Sequence, residues 1–252
     1  MKLGIMQPYF LPYIGYFQLL NAVDKYVIYD NIQYTKKGWI NRNRILQNGK
    51  DLMISIPLEK DSDYLDVKDR FVSAGFDKKK LLNQIREAYR KTPYYNEVMP
   101  IIGDIINYEE NNLFLYIYNS VQKVCGYLGI DTEIIISSTI DIEHSLKGQE
   151  KVLALCKELK ASDYYNAIGG QELYSPEDFR RENINLHFLS TNPIEYKQFS
   201  NEFVPWLSIL DVMMFNTLDE IKKMLDNYKL ISPLTPKGEI SSPSGRQGGA
   251  NI

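Results

Sequence analysis

Apolar and polar positions along this chain fall into blocks with strand and helix periods. The run from Leu3 to Met6 predicts a strand at the start of the chain. Pro8 and Pro12, with aromatics between them, stop that strand and stiffen the turn, because each proline fixes its own φ and restricts the residue before it. A helical pattern follows Gly15 through Phe17, Leu19, Leu20, Ala22 and Val23. Lys25-Tyr-Val-Ile-Tyr-Asp30 then predicts a second strand that ends on a carboxylate. Strand, turn, helix and strand within about thirty residues make a βαβ unit.

Further along, a strand is expected from Ile45, a hairpin turn at Asn48-Gly49 and a second strand from Leu52 to Pro57. Residues 58–70 are charged and irregular and read as a loop or a short edge strand. Three amphipathic helices follow, from Phe76, from Thr92-Pro93 and from Asn111, the last closed by Gly129. They predict a helical insertion over residues 76–128. The βα alternation resumes with a buried strand at Glu133 to Ile136 and a helix opening near Ser145 to Glu150. A short strand at Asp163 to Asn166, a tight turn at Gly169-Gly170, a helix start at Ser175-Pro176, a last strand at Leu186 to Leu189 and a buried helix over Trp206 to Met214 complete the pattern. The expected fold class is α/β, a Rossmann-like, mainly parallel sheet with one helical insertion, in a single domain over residues 1–232. Residues 233–252, rich in Pro, Ser and Gly, predict a disordered tail, natural or added.

Composition narrows the function. A chain of 252 residues with a net charge of −3 has no global basic field, so nucleic acid is not an expected partner. No apolar run reaches transmembrane length and Met1 leads directly into a strand, so no membrane span and a cytoplasmic location are expected. Cys125 and Cys156 sit in apolar helical contexts and read as buried thiols. No clustered His, Cys or carboxylate spacing calls for a metal, and neither GxGxxG nor a Walker A loop is present. The 19 tyrosines suit a core and a ligand site equally.

Candidate chemistry gathers after the strands, since ligands of open α/β sheets bind beyond their carboxyl ends. Gln7, Tyr9, Asp30, Gln33, Trp39, Asn41 and Arg42 are expected to converge there. Lys36, Lys37, Arg42 and Arg44 form a cation cluster that is either a solvated face or a phosphate grip. Lys147 at a helix start could meet an anion. Gly169 and Gly170 either admit a ligand close to backbone or make an ordinary turn. Ser208 and Asp211, at i and i+3, share a helix face and either close the cleft or bond the fold.

Three stretches carry a family resemblance: Gln7 to Leu19 (QPYFLPYIGYFQL), Tyr29 to Tyr34 (YDNIQY) and Gly38 to Arg44 (GWINRNR). Gly169-Gly-Gln-Glu-Leu-Tyr174 and Phe203-Val-Pro-Trp-Leu-Ser-Ile-Leu-Asp211 extend it, so that it spans the chain to about Leu230. These stretches resemble the WbqC-like family of bacterial proteins, often encoded among genes for O-antigen and other surface polysaccharides. The resemblance implies an enzyme acting on a nucleotide-linked amino sugar, with transfer of glycine to the amine as the reaction proposed for members. It covers Tyr174 and Ser208, and Gln198, which stands between these two stretches, joins them among the expected binding residues. Amide formation from a free acid needs an activated carboxyl, so ATP with magnesium is the expected cofactor and a small acyl donor the second substrate. Asp30 and Asp211 are the expected proton acceptors. Tyr13-Ile-Gly-Tyr16 stands where adenylyl-transferring enzymes of the H-x-G-H superfamily place their motif, with a tyrosine at each histidine position. A glycosyl- or nucleotidyltransferase of the same pathway and a non-catalytic sugar-nucleotide-binding protein are the alternatives.

Overall fold

The computed structural model describes residues 1–233 apart from 63, 200 and 201; the expected tail beyond Pro233 lies outside the described residues. The βαβ unit forms as β1 (Lys2–Met6), α1 (Ile14–Asn21) and β2 (Lys25–Ile28), with Leu3 opposite Lys25 and Met6 opposite Ile28 in parallel register. An antiparallel hairpin follows, β3 (Arg42–Gln47) and β4 (Lys50–Ser55). Asn48 and Gly49 take φ values of 51° and 74°, the left-handed pair that a two-residue hairpin turn requires. The strand begins at Arg42 rather than Ile45, so the charged stretch is itself part of the ladder. Residues 58–70 hold isolated bridges and one 3-10 turn, Val67–Asp69.

The helical block forms as α2 (Lys78–Tyr89), α3 (Tyr95–Asn107) and α4 (Leu113–Leu128). Gly129 closes α4 at φ 70°, where a side chain would be strained. Then come β5 (Glu133–Ile136), α5 (Gly148–Glu158), β6 (Asp163–Ala167), α6 (Pro176–Arg181), β7 (Asn185–Thr191), α7 (Ile209–Phe215), α8 (Leu218–Leu225) and β8 (Tyr228–Ile231).

The main sheet has the order β5-β2-β1-β6-β7-β8. The first five strands are parallel and β8 runs antiparallel to β7. The fold is therefore a mixed α/β, Rossmann-like one. The chain winds outward from β1 to β5 on one side and from β6 to β7 on the other, which puts a topological switch point between β1 and β6.

Strand alternation divides the core. Leu3, Ile5, Val27, Tyr164, Leu186 and Phe188 pack under α5 and α6. Tyr26, Ile28, Tyr165 and Leu189 face α1, α7, α8 and the helical block. Gly4 lies between Leu3 and Ile5, and a Cβ there would press on the Tyr26 ring at 3.1 Å. Gln18 of α1 is buried and ties three elements together. Its Nε2 donates to Met224 O at 2.7 Å and Asn227 O at 3.1 Å, and its Oε1 accepts from Thr191 Oγ1 at 2.7 Å.

Four expectations need correction. β5 is an edge strand with three half-buried residues and an exposed Glu133, because β2 pairs with it on one side only. β7 is not the last strand: β8 covers its outer edge. Gly169 and Gly170 belong to a 3-10 segment, Ile168–Leu173, not to a tight turn. Trp206 precedes α7, which begins at Ile209 with Ser208 as its N-cap.

Candidate functional site

A cavity of about 930 Å³ lies over the carboxyl ends of β1, β2 and β6 and spans the switch point. Its floor is the turn after β1. That turn holds Leu11, fully buried, at φ 43°, a left-handed conformation that a branched aliphatic residue rarely adopts. Distant residues hold it there. Leu11 O accepts from Asn43 Nδ2 at 2.9 Å and from Ser208 Oγ at 2.7 Å, Pro12 O accepts from Ile209 N at 2.8 Å, and Phe10 N donates to Ile40 O at 2.9 Å. The turn presents Gln7 and Tyr9 to the cavity, with the Tyr9 hydroxyl 3.3 Å from Gln7 Oε1. Tyr13 and Tyr16 border it from the start of α1. A side chain on Gly15 would collide with the Tyr13 hydroxyl, because the Tyr13 ring lies across the opening turn of the helix. Burial pushes the Tyr9 and Tyr16 phenols above their ordinary range.

One side of the mouth is aromatic. Arg44 comes from β3 and Trp39 from the turn before it, with the Arg44 guanidinium 5.5 Å from the Trp39 ring centre. Arg44 Nη2 donates to Trp206 O at 3.2 Å and Nη1 to Asp51 Oδ2 at 3.4 Å. Trp206 is 61% exposed, sits at φ 61° and meets the Tyr13 ring edge-on at 5.7 Å. The other side is cationic. Lys147 and Gly148 open α5, and Lys151 follows one turn later. Lys151 is only 7% exposed; its Nζ donates to Asn31 O at 3.1 Å and lies 5.4 Å from the Tyr29 ring centre. Burial lowers the Lys151 pKa, while the carboxylates of Asp66 and Asp30 pull it back up. Asp66 is the one carboxylate among the described residues that line the cavity. His144 Nδ1 stands 3.0 Å from the Asn31 amide.

The structure thus gathers Gln7, Tyr9, Tyr13, Tyr16, Gln33 and Trp39 as expected, and with them Arg44, Lys147, Gly169, Gly170 and Tyr174. Gly169 has open space beside its α-carbon, whereas a side chain on Gly170 would strike Asn166 Nδ2.

Eight expected residues do not border the cavity. The Asp30 carboxylate is buried and bonded by Ser137 Oγ at 2.8 Å, Ser138 N at 2.9 Å and the Ser138 hydroxyl. It latches β2 to the segment after β5. Asp211, 0% exposed, accepts from Tyr89, Tyr196 and Gln198, which also accounts for Gln198. Ser208 caps α7 and bonds Leu11 O. Asn41 accepts from Tyr34 Oη at 2.9 Å and donates to Ile56 O at 2.8 Å. Arg42 donates from Nε to Gly38 O at 2.8 Å and from Nη2 to Lys37 O, so its fork wraps a turn instead of reaching a ligand. Lys36 and Lys37 are exposed on that same turn. Sequence reasoning missed Tyr29, Asn31, Asp66, His144 and Lys151. A signal for Lys151 existed: it lies four residues after Lys147, on the same helical side.

Fold and site together define a class: a Rossmann-like α/β protein with an aromatic, cation-bearing cleft at its switch point. The chain belongs to the WbqC-like protein family, whose pattern matches residues 7–223. It is 28% identical over 218 residues to the uncharacterized protein Rv1507c of Mycobacterium tuberculosis, across 85% of this chain and 93% of that one. No solved structure matches the chain at a significant level. Among the described residues, no helix is long and apolar enough to cross a membrane.

Proposed function

We propose that the chain is a transferase or ligase of surface-polysaccharide biosynthesis that attaches glycine or another small acyl group to the amine of a nucleotide-linked amino sugar. One observation carries the reading: a single large cleft at the switch point combines aromatic faces with Lys147, Lys151 and Arg44. Aromatic faces suit a base or sugar ring, and the cations suit phosphate oxygens. A volume near 930 Å³ lies toward the upper end for ligand sites and leaves room for a second, small substrate.

With Asp30 and Asp211 occupied by the fold, Asp66 takes over as the proton acceptor in this reading. The sugar ammonium must lose a proton before its nitrogen attacks an acyl carbon, and a carboxylate bordering the cleft can receive it. ATP would convert the free carboxyl to an acyl–phosphate anhydride. Attack of the amine then forms the amide bond as the C–O bond to the phosphate oxygen breaks and the phosphate group leaves. Magnesium would enter only as the nucleotide's counter-ion. The commitment of both expected carboxylates to hydrogen bonds favours a second reading, a sugar-nucleotide-binding protein without turnover.

Incubating the purified protein with ATP, glycine and a UDP- or dTDP-amino sugar, with mass spectrometry as the readout, separates the two. The transferase reading expects a glycyl amide product, and its loss in Asp66→Asn. Tight sugar-nucleotide binding with no product across acyl donors would establish the second reading.

A further inference from the structure

We infer that the phosphates of the nucleotide bind on α5, between Lys147, Lys151 and the amides of the helix start, and not on α1. This rests on the nucleotide reading above and says where within the cleft the ligand lies.

The strand order alone points elsewhere. In doubly wound sheets the first βα turn usually receives the phosphates, on the amides that open the first helix. Here that place is closed. Pro12 has no N–H to offer, Tyr16 N donates to Tyr13 O at 3.1 Å, and the Tyr13 ring covers the turn so closely that only glycine fits at position 15.

The start of α5 is open by comparison. No side chain caps either helix, but no ring lies over this one. Gly148 is held at φ 53° and borders the cavity, and a Cβ there would meet nothing within 4 Å. The first amides of any helix lack intrahelical partners, and the dipole favours an anion in front of them.

Lys151 is the second, independent sign. The residue is only 7% exposed in the cavity wall, and its ammonium makes one hydrogen bond, to a neutral carbonyl. It has no carboxylate within salt-bridge distance among the described residues. An ammonium has three donors, and a buried charge calls for a counter-charge. The Tyr29 ring offers only its face. Asp66 and Asp30 act on it only from beyond ion-pair distance, and phosphate oxygens would take the remaining donors at contact. Trp39 and Trp206 border the cavity beside Ile40 and Leu207, which pack in the core on the opposite face of the sheet from α5, and this leaves their end of the cleft for the base.

Calorimetric titration of the full chain with UDP, dTDP and inorganic pyrophosphate tests the assignment. Lys151→Met should weaken all three at least tenfold, and Lys147→Ala at least threefold, with melting curves recorded for both. Trp39→Ala should weaken UDP and dTDP while leaving pyrophosphate within twofold. Lys147 is exposed, so if Lys151→Met does not fold, Lys147→Ala decides alone. Nucleotide binding at wild-type strength in the lysine variants would place the phosphates elsewhere while leaving the nucleotide reading intact. Failure of the wild-type protein to bind any of the three probes would remove both.

Discussion

Asp211 is a carboxylate enclosed by donors. Tyr89 Oη reaches one oxygen at 2.8 Å; Tyr196 Oη and Gln198 Nε2 each reach the other at 2.6 Å. Burial pushes its pKa above the ordinary carboxylate range, and the three hydrogen bonds pull less strongly the other way. The folded protein therefore holds this proton more tightly than the unfolded chain does. Its contribution to stability is fully present below the ordinary carboxylate pKa and is lost as pH rises through the raised value. Denaturation midpoints followed across that window should show this slope, and Asp211→Asn should flatten it; an unchanged slope would assign it to other groups. Tyr196→Phe removes one hydrogen bond to a charged acceptor and should cost about 1.5–3 kcal/mol at neutral pH. Because the residue lies outside the cavity, ligand affinity in that variant should stay as in the wild type.

At the scale of elements, the turn after β1 is held by parts that come from far along the chain. Asn43 Nδ2 serves the carbonyls of Phe10 and Leu11 at 3.2 and 2.9 Å, and its Oδ1 accepts from Arg44 N at 2.8 Å. Ser208 N donates to Arg44 O at 2.9 Å, so the hairpin, the α7 start and the turn form one unit. Asn43→Ala leaves buried backbone groups short of partners and should cost about 1–3 kcal/mol, read by chemical denaturation. It should also weaken ligand binding, since Gln7 and Tyr9 are placed by that turn. A loss of under about 0.5 kcal/mol, the size of an ordinary surface change, would mean that the two prolines hold the turn without help.

At the scale of the whole molecule, both tryptophans of the chain border the same cavity. Intrinsic tryptophan emission is therefore a report on that cleft alone. Addition of a UDP- or dTDP-sugar should shift or quench the emission, and Trp39→Phe and Trp206→Phe should each remove part of the signal. Emission that stays constant while calorimetry records binding would put the ligand away from the tryptophan end. The cavity also depends on both cores at once. Its aromatic end rests on the face with α1 and the helical block, its cationic end on the face with α5, and the sheet edge between them forms the base.

The sequence by itself determined the βαβ unit, the Asn48-Gly49 hairpin, the helical block and the Gly129 stop, because each follows from a local period or a backbone constraint within a few residues. It also pointed to the carboxyl edge, and Gln7, Tyr9, Trp39, Arg44 and Lys147 do meet there. Only the tertiary structure decided which polar residue faces the cleft and which is consumed by the fold. Asp30 looks free in the sequence and is captured by a serine 107 residues further on. Asp211 is bonded by a tyrosine 122 residues before it, and Lys151 reaches a carbonyl 120 residues upstream. The β8 strand likewise exists only against the edge of β7. Apolar periodicity is legible because every residue on a face meets the same core. A polar side chain takes its role from one particular partner, and chain folding, not local spacing, brings that partner into place.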